Sequence, residues 1–348
     1  MSYFRKNIDK MTPYVPGAQP LPGQKIIKLN TNENPYPPSP AAIEVLHAFD
    51  ADCLRKYPDP MAREFCGVVA DVLDVPAERV IPGNGSDDVL VMISRACLEP
   101  GKKITFVAPT FEFYEVQSNI ENATCIPLDC EPSEAIEQLA DQDADVTFVA
   151  SPNSPTGVLT SCDALDELAG RLSGLLVIDE AYADFSRENA LMLAASHDNV
   201  IVLRTLSKGY SLAGLRMGFA IAPPPVLQGL VKTKAIYNVD AVACAVGAAA
   251  MADQDHKNAN ARKVIASREA LSDELAELGF TFPASQANFL LARPATGNAS
   301  EIYEALKARG ILVRYFQNQA ILSDKLRITV GTDEENGLLI AALKEIMA

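Results

Sequence analysis

Five short apolar runs recur through the middle of the chain and limit what it can fold into: KITFVAP (103–109), DVTFVASPN (145–153), LLVIDEAY (175–182), NVIVLRTLS (199–207) and GFAIAP (218–223). None alternates strictly with polar residues. A strand covered on one face alternates, whereas a strand apolar throughout is buried on both faces. Helix-like stretches at 86–99, 112–120 and 161–174 separate them. Strand–helix–strand repetition predicts an α/β fold built on a doubly wound, mainly parallel sheet.

The ends read differently. Residues 1–40 gather many of the 23 prolines and predict an extended N-terminal arm packed against other parts of the assembly. Residues 41–250 form the expected large domain. Residues 251–348 predict a smaller α+β domain: a helical pattern over 257–278, a strand at 287–293, a helix at 300–309, strand-like runs at 311–316 and 325–330, and a final helix.

Composition narrows the partners. The net charge of −15 disfavours nucleic acid and anionic membranes, although anions can still bind in local basic pockets. No apolar run approaches a membrane span, and MSYFRKNIDKMTPY lacks the apolar core of a signal peptide. Seven cysteines without C-x-x-C spacing and three scattered histidines predict reduced thiols, no metal site and a cytoplasmic setting.

In doubly wound sheets ligands bind at the carboxyl ends of the strands. The residues there are chemically diverse. Gly83-Asn84-Gly85-Ser86-Asp87 opens a helix and offers N–H groups to an anion. Phe111 can stack on a flat ring. Asn153 and Ser154 follow the second run, Asp179 and Tyr182 the third, and Ser207-Lys208 the fourth. Asp179 ends an apolar strand and needs a cationic or N–H partner. Lys208 can form an imine with an aldehyde if burial and nearby cations, with Arg204 and Arg216 as candidates, leave its amine unprotonated. Pyridoxal 5′-phosphate asks for this set: a Schiff-base lysine, a carboxylate at its ring nitrogen, an aromatic on its face and a phosphate cup.

On these residues the chain resembles the fold-type I pyridoxal-phosphate aminotransferases, and within them most of all the histidinol-phosphate aminotransferases. The resemblance runs nearly end to end, through "LNTNENPYPPSP" (29–40), "KYPDP" (56–60), "GNGSDD" (83–88), "APTFEFY" (108–114), "SPNSPTG" (151–157), "VIDEAY" (177–182), "TLSKGYSLAGLRMG" (205–218), "SQANFLLAR" (285–293) and "LRITVGT" (326–332). It implies that Lys208 carries the cofactor and moves the substrate's proton. Asp179 would keep the ring nitrogen protonated, and Tyr182 would bond the phenolic oxygen. Gly85, Ser86, Asp87, Ser207 and Arg216 would hold the phosphate, and Phe111 would stack on the ring. Tyr57 would reach the phosphate of a neighbouring subunit, which makes the expected unit a homodimer. Tyr14, Asn34, Arg314 and Arg327 would contact the substrate.

One motif departs from the family. Relatives carry N-N-P-T-G, with the second asparagine on the ring oxygen, and here that position is Ser154. Either its hydroxyl replaces the amide or Asn153 shifts in; the expectation is Asn153. The implied reaction is transfer of an amino group from L-histidinol phosphate to 2-oxoglutarate. An aromatic amino-acid aminotransferase and a threonine-phosphate decarboxylase are the alternatives on the same scaffold. A regulator that only senses the cofactor is disfavoured, because no segment reads as a basic helix-turn-helix.

Overall fold

The computed structural model describes residues 2–12, 17–20, 23, 26–130 and 134–347. Its strands are β1 Ile27–Leu29, β2 Val80–Gly83, β3 Lys103–Val107, β4 Thr124–Leu128, β5 Val146–Ala150, β6 Leu175–Asp179, β7 Val200–Thr205, β8 Gly218–Ile221, β9 Phe289–Ala292, β10 Ile311–Tyr315 and β11 Leu326–Thr329. Seven of them form one sheet in the order β2-β8-β7-β6-β5-β3-β4. Neighbouring strands pair in parallel except at β8, which runs antiparallel to both β2 and β7. The α/β, mainly parallel architecture expected from the apolar runs is present.

Side-chain parity explains why those runs do not alternate. Leu176 and Ile178 of β6 enter one core, while Val177 between them enters the other. Val200 and Val202 of β7 divide from Ile201 and Leu203 in the same way. Successive strand residues face opposite sides, so a sheet covered on both sides needs an apolar residue at every position. Helices Arg63–Leu73, Cys162–Arg171 and Ala241–Ala252 cover one face through Phe65, Leu168 and Val246. Helices Ser86–Cys97 and Pro224–Val231 cover the other through Leu90, Ile93 and Leu230.

A second sheet, β1-β10-β11-β9, has its own core, in which Leu290, Val313 and Ile328 meet Val264 and Leu271 of helix Gln254–Glu277 and Leu339 of helix Asp333–Met347. β1 comes from the proline-rich arm and adds to this sheet in parallel, Ile27 opposite Ile311. β10 and β11 are antiparallel, and their register sets Arg314 directly opposite Arg327. Among the described residues, no helix is long and apolar enough to cross a membrane.

Candidate active site

The carboxyl ends of β3, β5, β6 and β7, the turn after β2 and the end of the smaller sheet line one cavity of about 420 Å³. Ser86, Asp87, Phe111, Ser154, Asp179, Tyr182, Ser207, Lys208, Arg216, Arg314 and Arg327 all face it. Four cationic side chains therefore converge in a protein of net charge −15. Three nearby carboxylates already have partners: Glu33 has Lys28, Asp87 has Arg216 at 3.1 Å, and Glu112 accepts from Gln319.

Asp179 closes β6 and is only 6% exposed. Its Oδ2 accepts from the Tyr114 hydroxyl at 2.8 Å and its Oδ1 from the Ala181 N–H at 3.1 Å. Burial pushes its pKa up to about 6; those two hydrogen bonds oppose the rise, and the nearby Asp87 and Glu180 reinforce it. No cation among the described residues lies within ion-pair distance of it. A buried carboxylate with neutral donors only is stabilised by a cationic N–H placed in the cavity. Tyr114 is itself fully buried and stacked on Phe148, with ring centroids 4.6 Å apart. Sequence reasoning missed Tyr114, although "APTFEFY" ends on it.

Lys208 follows β7 in a turn held from the arm. Its Nζ donates to Thr31 O at 3.1 Å and lies 5.8 Å from the centroid of the Tyr182 ring. Asn34 does not line the cavity. Its amide donates to Lys208 O at 3.1 Å and Gly209 O at 3.4 Å, so it braces the lysine turn instead of facing a substrate. Arg204 also points elsewhere. It lies one position before the cavity-lining Thr205, and its Nε is bonded to Glu180 Oε2 at 2.7 Å.

At the opposite end of the cavity, helix Ser86–Cys97 begins at Gly85, which has φ of 78° and no side chain to satisfy the helix's first N–H groups. A Cβ on Gly85 would stand 2.5 Å from Arg216 Nη2. Arg216 Nη1 donates to Ser207 Oγ at 3.4 Å. Helix N–H groups, two hydroxyls and a guanidinium thus form a cup suited to a phosphate.

The SPNSPTG turn places its two polar residues differently. Asn153 does not reach the cavity: its Nδ2 donates to Pro109 O and Thr156 Oγ1, both at 2.9 Å, and its Oδ1 accepts from Thr110 at 2.7 Å. In this structure the Asn153 side chain is therefore engaged with the protein and not turned to the cavity, unlike the expectation for it. Ser154 lines the cavity, and its Oγ accepts from Arg327 Nη1 at 3.2 Å. Arg327 Nη2 donates to Asn30 O at 3.0 Å, and its guanidinium carbon lies 5.7 Å from the centroid of Phe316. Arg314 lies over the same ring at 5.3 Å. Tyr57 is 81% exposed, outside the cavity, and stacked on Tyr237 with centroids 4.4 Å apart. Tyr14 lies outside the described residues.

The sequence pattern of the family "Aminotransferase class I and II" matches residues 24–343. The chain is 50% identical to histidinol-phosphate aminotransferase 1 of Trichormus variabilis, with 99% of each chain covered. It is 42% identical to the histidinol-phosphate aminotransferase of Syntrophotalea carbinolica, over 99% of this chain and 100% of that one. Its fold matches the crystal structure of histidinol-phosphate aminotransferase from Sinorhizobium meliloti in complex with pyridoxal-5′-phosphate. That match has a TM-score of 0.91 and 26% identity, and covers 100% of this chain and 98% of that one. A lysine, a buried carboxylate, a phosphate cup and paired arginines around one cavity agree with the family match: the chain belongs to the class I and II aminotransferases.

Proposed function

We propose that this aminotransferase transfers the amino group of L-histidinol phosphate to 2-oxoglutarate, with pyridoxal phosphate as cofactor. The observation that carries the reading is the pairing of Arg314 with Arg327 across β10 and β11, on the cavity that also holds Lys208 and Asp179. Donor and acceptor differ in shape but share an anionic end, a phosphate in one and carboxylates in the other. A planar guanidinium binds either group. The relatives' shared name supports the donor.

The residues present fit the cofactor. Asp179 offers a buried carboxylate with no ion-pair partner among the described residues, and Gly85, lacking a Cβ, lets the Arg216 guanidinium close on the first turn of helix Ser86–Cys97. When bound, the cofactor supplies an electron sink that labilises the donor's α-proton and carries the amino group between the half-reactions. Asp179 holds a proton at the ring nitrogen, with Tyr114 and Ala181 fixing the carboxylate's orientation. Lys208 Nζ carries the cofactor and then moves the donor's α-proton. Ser86, Ser207 and Arg216 would hold the phosphate, Phe111 would stack on the ring, and Tyr182 and Ser154, on the same cavity, would hydrogen-bond its phenolic oxygen.

The same reading includes a homodimer in which the exposed Tyr57 serves the neighbouring site. It divides the chain at about residue 250 into a cofactor domain and a smaller domain bearing the arginines, with the arm at 1–40. Borohydride reduction of the yellow protein followed by peptide mapping tests it. Label on a peptide containing Lys208 is expected, and label on another lysine refutes the assignment.

A further inference from the structure

Asn32 is 1% exposed and held in the left-handed backbone region at φ 57°. Its main-chain N–H donates to Thr329 Oγ1 at 3.0 Å, and its carbonyl accepts from Asn288 Nδ2 at 3.0 Å. The Thr329 hydroxyl donates to Asn32 Oδ1 at 3.0 Å, its sole acceptor among the described residues. That bond fixes which way the amide faces. With Oδ1 committed to Thr329, the NH2 group points to the Tyr182 hydroxyl and donates to it at 2.9 Å.

The Tyr182 oxygen thus receives a hydrogen bond from Asn32, and among the described residues its own proton has no acceptor. The ring is held as well, edge-on against Phe289 at 5.0 Å and 84°. A hydroxyl whose lone pair is already taken is directed away from that donor and is polarised into a better donor itself. We propose that Asn32 is a positioning residue of the reaction, which aims the Tyr182 proton into the cavity, at the ring oxygen of the cofactor. This rests on the cofactor reading above. It assigns to Asn32 a task distinct from that of Asn34, two residues on, which braces the lysine turn.

A stronger donor at the ring oxygen favours the deprotonated form of the chromophore at Lys208, so Asn32 lowers the chromophore's titration midpoint. The charged groups sharing the cavity with Tyr182 are Asp179, Asp87, Glu33, Glu112, Lys208, Arg216, Arg314 and Arg327 among the described residues. All are retained in the variants below. The measurement is a pH titration of absorbance on the full-length protein loaded with pyridoxal phosphate.

Asn32→Gly tolerates the left-handed backbone and deletes the amide. Its midpoint should rise by about 0.3 to 1 pH unit, the range expected for one lost hydrogen bond. Asn32→Asp keeps the shape and draws the Tyr182 proton away from the cavity, so its midpoint should rise further. In a Tyr182→Phe background, Asn32→Gly should move nothing. An unmoved midpoint in Asn32→Gly, or the same shift with and without the Tyr182 hydroxyl, overturns the proposal. Should the Asn32 variants lose the cofactor, Thr329→Val frees the amide to turn while residue 32 keeps its own side chain. A midpoint raised there supports the assignment, and an unmoved one overturns it. Wild-type protein with no chromophore at Lys208 defeats the cofactor reading first, and the Asn32 assignment falls with it.

Discussion

Replacing Asp179 by Asn should cripple the enzyme while stabilising its cofactor-free form. Burial raises the Asp179 pKa from 3.8 to about 6. Below about pH 4 the carboxyl is protonated whether the chain is folded or not, and burial costs little. As pH rises through about 6 it ionises in the fold, and the folded state loses about 3 kcal/mol relative to a group that stays neutral. An amide is neutral throughout. It can place its oxygen on the Ala181 N–H and its NH2 on the Tyr114 oxygen, at a cost of about 1 kcal/mol in hydrogen-bond quality. Cofactor-free Asp179→Asn should therefore be more stable than wild type by about 2 kcal/mol at pH 7.5, with the gap closing towards pH 4. Urea unfolding of both proteins across that range measures it. In the loaded enzyme the amide cannot hold the ring nitrogen's proton, and kcat should fall by roughly two orders of magnitude or more, about 3 kcal/mol. Near-normal turnover refutes the role at the ring nitrogen. A stability gap that does not vary with pH refutes the assigned cost of burial.

Two further substitutions probe the cup and the assembly. Gly85→Ala sets a Cβ 2.5 Å from Arg216 Nη2 at a φ of 78°. It should displace Arg216 and weaken cofactor binding by about tenfold or more, a charge-assisted hydrogen bond's worth, as read by fluorescence titration of the cofactor-free protein. Unchanged affinity contradicts the phosphate cup. Mixed Lys208→Ala and Tyr57→Ala subunits, each inactive by itself, should regain part of the activity through hybrid dimers with one intact site. No rescue after verified exchange argues that each chain builds its own site.

The fold was legible wherever both faces of a strand are buried, because Leu176–Ile178 and Val200–Leu203 then leave an unbroken apolar signature. β4 escaped notice because it is an edge strand of partly exposed residues interrupted by Pro127. β1 was hidden in the proline-rich arm, since a three-residue strand acquires its identity from pairing with β10 and not from its own pattern. At the site, Asp179 and Lys208 stood out because one ends an apolar strand and the other follows one, whereas Arg216 was marked by its spacing from Lys208 in the family motif. Arg204 and Thr205 were separable only by strand parity. Asn153 and Asn34 are amides that brace backbone distant in the chain, at Pro109 and at the lysine turn, and nothing in composition distinguishes such an amide from one that faces a ligand. Tyr114 and Asn32 act through contacts 65 and 150 residues away along the chain, which only the folded structure brings together.

The most direct test compares three amino donors on one preparation: L-histidinol phosphate, phenylalanine and threonine phosphate, each with 2-oxoglutarate, scored by glutamate formed and carbon dioxide released. Histidinol phosphate should give the highest kcat/KM, with no carbon dioxide. Arg314→Ala should lower its kcat/KM about 10- to 150-fold, corresponding to about 1.5–3 kcal/mol for a lost charge-assisted pair, and should affect phenylalanine less. Preference for phenylalanine in wild type, with a donor ratio unmoved by Arg314→Ala, contradicts the phosphate reading. Release of carbon dioxide from threonine phosphate as the main reaction contradicts transamination itself.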